Sequence, residues 1–234
     1  MKALIYVPII HMSSDMGSLA KDLNTRGIAD LGEELWKEHI KTVGTFWNEL
    51  SYYFDSVDVS GMKIYQDGMI AEGEVGQMIV REGAKSGSKN YELVSELLKR
   101  GAILVKTEDF KLVKKERDRL IAITQAKSLP EKLIAFMKYK VTKNRLLNKR
   151  DEFIAGRVGD TLNQDETGII FIGAYHNIKD RLPKDIRIME IKNIEKVREY
   201  QKLIPFYNKN RERIEELGRY LISKIQVCDS APQG

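Results

Sequence analysis

Two hydrophobic rhythms alternate along the chain. Ala3-Leu4-Ile5-Tyr6-Val7, continued by Ile9 and Ile10, is a short apolar and β-branched run that stops at the polar cluster His11-Met12-Ser13-Ser14-Asp15. That pattern predicts a strand and the loop after it. Leu31, Leu35, Val43, Phe46, Trp47, Leu50 and Phe54 recur at spacings of three, four and seven. They predict one amphipathic helix from about residue 30 to 55, with Asp30 as its N-cap. Val57 to Tyr65 reads as a second strand, stopped by the turn Gln66-Asp67-Gly68. Residues 69–90 show no sustained period and read as short helix mixed with loop.

Tyr91 to Arg100 predicts a helix closed by Gly101, since glycine accepts the left-handed conformation that ends a helix. Ala102 to Val105 predicts a third strand, and Phe110 to about Asn148 a helical hairpin broken at Ser128-Leu129-Pro130. A separate helix is expected over Asp151 to Leu162. Gly168-Ile169-Ile170-Phe171-Ile172-Gly173 is apolar on both faces, as a central parallel strand must be. Ile186 to Ile191 alternates like an outer strand, and two helices with a break at Pro205 fill Ile194 to Ile225. The expected fold class is therefore α/β: a mostly parallel sheet of about five strands covered by helices, with a helical excursion. One α/β domain over 1–228 is expected, with the helical insertion at about 110–150 and a flexible tail at 229–234.

Composition narrows this picture. With 42 % hydrophobic residues in 234, the chain can bury a core, which excludes disorder as its main state. Its longest apolar run is far too short to cross a bilayer core of roughly 30 Å. Pro8 and His11 interrupt the N-terminal run, which reads as a strand and not as a signal peptide. The single cysteine, Cys228, excludes an internal disulfide and a thiolate metal centre, and a cytoplasmic setting is expected. A net charge of +5 is mild for this length and falls short of a dedicated nucleic-acid binder.

In a parallel sheet, ligands bind beyond the carboxyl ends of the strands. The residues that follow each strand are His11, Ser13, Ser14 and Asp15; Asp67, with Glu72 and Glu74 beyond it; Glu108 and Asp109; and Tyr175, His176 and Asn177. Two of the three histidines thus stand at strand ends. Imidazoles converging with carboxylates suit acid/base chemistry or a divalent metal. His39 differs: it lies on the apolar helical stripe and reads as a satisfied, partly buried histidine. Arg150 and Arg157 could hold an oxyanion, carboxylate or phosphate through paired hydrogen bonds, or pair with their helical neighbours Asp151 and Glu152.

Gly173-Ala174-Tyr175-His176 after an apolar strand, with Arg150-Asp151-Glu152-Phe153-Ile154-Ala155 on the helix before it, resembles the C-terminal part of the TraB/Tiki/erythromycin-esterase/ChaN superfamily. That group carries a Gly-x-x-His near each end. The first copy here is Pro8-Ile9-Ile10-His11, with proline in the glycine position. The resemblance implies a compact α/β domain with histidines and acidic residues at the sheet rim, in a group that includes hydrolases, proposed metalloproteases and proteins of unknown activity. It carries His11, His176 and Arg150 over as site residues. The acidic partner is Asp67, Glu72 or Glu74.

The leading expectation is a hydrolase with His11, His176 and Glu74 as catalytic groups and Arg150, Asp15, Ser13, Tyr175 and Asn177 around a small-molecule or peptide substrate. A divalent metal would sit on His11, His176 and Asp67. A small-ligand-sensing or assembly module is the alternative. A third reading is a nucleic-acid-associated protein using the basic stretch Lys132, Lys138, Lys140, Lys143, Arg145, Lys149 and Arg150, interleaved with Phe136 and Tyr139. Trp36, Trp47, Tyr52 and Tyr53 lie partly off the main stripe of their helix and suggest either a homodimer face or extra core contact. No Gly-x-x-x-x-Gly-Lys-Ser/Thr loop, Gly-x-Gly-x-x-Gly fingerprint or Gly-x-Ser-x-Gly elbow is present.

Overall fold

The structure is a computed structural model and describes residues 1–15 and 20–225. Cys228 and the predicted tail lie outside the described residues. Five strands, β1 (Lys2–Ile9), β2 (Lys63–Gln66), β3 (Ile103–Val105), β4 (Thr167–Gly173) and β5 (Ile186–Glu190), form one sheet in the order β3-β2-β4-β1-β5. Every neighbouring pair is parallel. The α/β expectation holds, with β4 at the centre and β5 at an edge as the apolar patterns predict. Pro8 lies beyond β5's pairing, which ends at Tyr6. The N–H that proline lacks therefore falls where β1 has a neighbour on one side only.

Among the described residues eight α-helices accompany the sheet, six between strands and two after β5: α1 (Ala20–Leu31), α2 (Glu33–Asp55), α3 (Gly73–Lys85), α4 (Lys89–Lys99), α5 (Phe110–Thr124), α6 (Leu129–Thr161), α7 (Ile194–Leu203) and α8 (Arg211–Leu221). Strand side chains alternate between the two faces. Ile169 and Phe171 face α2, where Phe171 packs against Phe54 at 5.7 Å between ring centroids. Tyr65 faces α6 and shares a 2.8 Å hydrogen bond with the Thr161 hydroxyl. The core between these layers includes Leu4, Tyr6, Phe46, Trp47, Leu50, Ile64 and Ile170. No helix among the described residues is long and apolar enough to cross a membrane.

Four expectations are corrected. The helix predicted from residue 30 begins at Glu33, because Gly32 at φ 84° ends α1 and separates it from α2. Asp30 therefore sits in the last turn of α1 and caps nothing. The second strand is shorter than expected, since Val57 to Met62 form a turn that Arg100 clamps by donating to the carbonyls of Phe54, at 2.8 Å, and Val57. Residues 69–90 are more regular than expected and build all of α3 and the start of α4. Finally, the second arm of the predicted hairpin and the helix at 151–162 are one helix, α6, of 33 residues. No glycine or proline separates Asn148 from Asp151, so nothing stops the helical ladder there. Of the aromatics read as either a dimer face or extra core contact, Trp47 is core and donates to the Ile10 carbonyl at 3.1 Å.

Candidate active site

The rim of the sheet gathers residues from four adjacent strands. In strand order they are Glu108 after β3, Asp67 after β2, His176 after β4 and His11 after β1. Asp67 is the hub. Its Oδ2 lies 3.5 Å from Nε2 of both His11 and His176 and accepts from the Gly173 N–H at 3.1 Å. Its Oδ1 accepts from Arg150 Nη2 at 2.6 Å. Two imidazoles 165 positions apart therefore meet one carboxylate.

Close approach explains Gly173. A Cβ there would lie 3.1 Å from Asp67 Oδ2, 3.6 Å from the His176 ring and 3.7 Å from His11 Nε2. The chain then turns back sharply, with the His176 N–H donating to the Gly173 carbonyl at 3.0 Å and Arg198 Nε donating to the Ala174 carbonyl at 2.7 Å. This turn aims the imidazole inward. His176 is buried, and its Nδ1 lies 2.5 Å from Asp151 Oδ1. Asp151 Oδ2 accepts from the Asn177 N–H at 2.9 Å, so α6 holds both the ring and the turn that carries it.

His11 is held differently. Its side chain is 31 % exposed, with Nδ1 3.5 Å from Asp15 Oδ2. Asp15 is itself fixed, accepting from the Met12 N–H at 2.7 Å and from the Ser88 hydroxyl at 2.5 Å. Ser88 also caps α4, so the loop after β1 is tied to that helix. Ser13 is half-buried on the short turn 13–15, and the Ser14 hydroxyl is buried with no hydrogen-bond partner.

Arg150 closes the other side of Asp67. It donates through Nε to Glu108 Oε2 at 2.7 Å, through Nη2 to Glu108 Oε1 and through Nη1 to Glu116. Glu108 Oε1 also accepts from the Gly68 N–H at 3.0 Å. One buried guanidinium thus serves three carboxylates, the geometry in which arginine outperforms lysine.

Burial and pairing compete for every proton here. Burial opposes the charge on His11, but Asp15 and Asp67 outweigh it and raise the imidazole from 6.5 to about 10. His176 is raised too, its burial overcome by Asp67 and Asp151. Asp67 is held well below the usual carboxylate range: burial pushes it up, and His176, His11 and Arg150 pull it down further. Burial raises Glu108 against the pull of Arg150. Tyr6, with its hydroxyl buried and without a hydrogen-bond partner, is raised by burial and by the negative charge of Asp151 and Glu190.

The other predicted residues fall outside this hub. Glu74 is exposed in the first turn of α3 and bonds neither imidazole. Glu72 accepts from the Lys106 N–H at 3.0 Å and approaches Arg157 at 3.5 Å. Arg157 donates to the Lys106 carbonyl at 3.0 Å and serves as a strut between α6 and β3's end. Tyr175 is exposed, with Lys143 Nζ 5.6 Å from its ring centroid, and the Asn177 amide donates to Asp180 at 3.1 Å. His39 is half-buried, 3.1 Å from the Tyr200 hydroxyl, and burial lowers it to about 4. Glu116 and Ser88 were not among the predicted site residues. Their positions mid-helix and at a helix cap carry no local signal of a site.

A divalent metal on His11, His176 and Asp67 does not fit this donor set. The guanidinium of Arg150 bonds the same carboxylate, and a second cation there would meet its charge directly. Among the described residues, no group of three or more His, Cys, Asp or Glu side chains is arranged to hold a metal ion. No protein-family model, no curated protein and no solved structure matches the chain.

Proposed function

We propose that the chain is a hydrolase that works by acid/base chemistry, with His11 as the catalytic residue. The observation that supports this reading is the position of His11: a partly exposed imidazole between Asp15 and Asp67, at the carboxyl ends of the central strands. Two carboxylates keep it protonated at neutral pH, so it is the proton donor of the site. In hydrolysis, water attacks the acyl or phosphoryl centre while His11 gives its proton to the leaving oxygen or nitrogen. The attacking water then returns a proton to the imidazole, and the site is restored.

His176 is a positioning residue in this reading. It is buried against Asp151 and reaches the reaction only through Asp67, whose charge and orientation it shares with Arg150. The imidazolium also favours substrates that place an anionic or carbonyl oxygen at the rim.

A panel of esters, amides and phosphoesters tests the reading. Turnover of at least one class is expected, falling by about 10²- to 10⁴-fold in His11→Gln when both proteins are assayed well below the variant's melting temperature. Activity should be lost as pH rises through about 10, where His11 gives up its proton. No turnover on any class, with a thermal shift on ligand addition, would favour a sensing module instead.

A further inference from the structure

The arm formed by α5 and the first half of α6 is built unlike the rest of the molecule. Residues 110–149 carry twelve Lys or Arg and three Asp or Glu, a net charge of +9. The whole chain is at +5, so everything outside the arm sums to −4. Nothing on α5 is buried, and on α6 burial begins only at Leu146.

Large apolar side chains are exposed on the same arm. Leu129 is 83 % exposed and Val141 76 %, and Leu133, Ile134, Phe136 and Met137 are exposed between them. At 100° per residue these six positions cover a face about 160° wide. Lys132 and Lys143 border it on one side and Lys138 and Arg145 on the other, and Lys140 stands within it between Phe136 and Leu133. A groove of about 780 Å³ between the two helices, lined in part by Ile134, Met137 and Val141, adjoins this face.

We propose that this arm docks on an anionic membrane surface, its apolar face in the acyl boundary and its lysines against the headgroups. A broad apolar face bordered by lysine is the composition of interfacial helices. Charge and chemistry favour this occupant over the others. A second copy would bring another +9 against the first, and nucleic acid would meet a face of aliphatic side chains where it needs stacking partners and phosphate contacts. The proposal is independent of the hydrolase reading.

Cosedimentation of the full chain with vesicles of phosphatidylcholine, with and without phosphatidylserine, tests it. Binding to the serine-containing vesicles should be roughly tenfold stronger or more and should weaken with added salt. Two variants separate the contributions. Lys138→Glu with Lys140→Glu and Lys143→Glu should remove the preference for anionic lipid. Leu133→Ser with Phe136→Ser should weaken binding at unchanged charge, and both should keep the wild-type melting temperature because all five positions are exposed or at the surface of the arm. Equal partitioning to both vesicle types, or none, would overturn the proposal. So would tight binding to RNA that is insensitive to Leu133→Ser and Phe136→Ser, or a dimer in solution that those substitutions dissociate.

Discussion

The two halves of α6 treat charge in opposite ways. In the C-terminal half, Arg150 and Asp151 are buried, and every charged atom that faces inward has a partner: Asp67, Glu108 and Glu116 for the guanidinium, His176 and the Asn177 N–H for the carboxylate. In the N-terminal half the lysines stand in solvent. One helix, with one backbone geometry, thus places an interlocked ionic network at one end and an exposed cationic surface at the other. The difference lies in what each half packs against. Buried charge survives only where partners compensate its lost hydration, and exposed charge needs none.

This contrast sets the scale of substitutions. Arg150→Met should be the most damaging, because it strands Glu108 and Asp67 as buried charges; a loss of about 3–5 kcal/mol is expected in urea denaturation. A loss below about 1 kcal/mol would mean that the carboxylates are already neutral or hydrated. Gly173→Ala comes next, since its new methyl meets Asp67 Oδ2 at 3.1 Å and that carboxylate is pinned by Arg150 and by the Gly173 N–H. About 1–3 kcal/mol is expected from overpacking, together with reduced turnover. On the arm, Lys140→Ala should change stability by no more than about 0.5 kcal/mol, and a larger effect would show that the arm is held by contacts the structure lacks.

The network also has a pH signature. His11 is raised in the folded state, so its contribution to stability is complete below its unfolded value of 6.5 and is lost as pH rises through about 10. Asp67 is lowered, so its contribution is present above its ordinary 3.8 and is lost as pH falls further. The stability gap between the wild type and His11→Gln should therefore be widest in mildly acid solution and close toward pH 10.

Much of the fold was legible because the signals were local. The doubly apolar run at 168–173 and the alternation at 186–191 identified a central and an edge strand. Pro130 and Pro205 marked the breaks on either side of which helices form. His11 and His176 stood out because they directly follow strands. What escaped was set by long-range geometry. Whether Asp67 or Glu74 reaches the imidazoles depends on β2 lying beside β4, a pairing no local pattern encodes. Its place after a strand suits Asp67 equally to a metal and to the histidines, and only the assembled fold ties its carboxylate to Arg150. The continuity of α6 through residue 150 was hidden because the polar arm and the buried half have different apolar patterns, and a change of environment reads like a change of element.

The central claim is that His11 and His176 share one carboxylate, and nuclear magnetic resonance titration of the imidazoles tests it most directly. The chain has three histidines, so His39, packed against Trp36 and Tyr200 and shifted by burial alone, serves as the internal reference. In Asp67→Asn, both His11 and His176 should titrate at lower pH than in the wild type while His39 stays where it was. Movement of only one of the two, or of neither, would contradict the account.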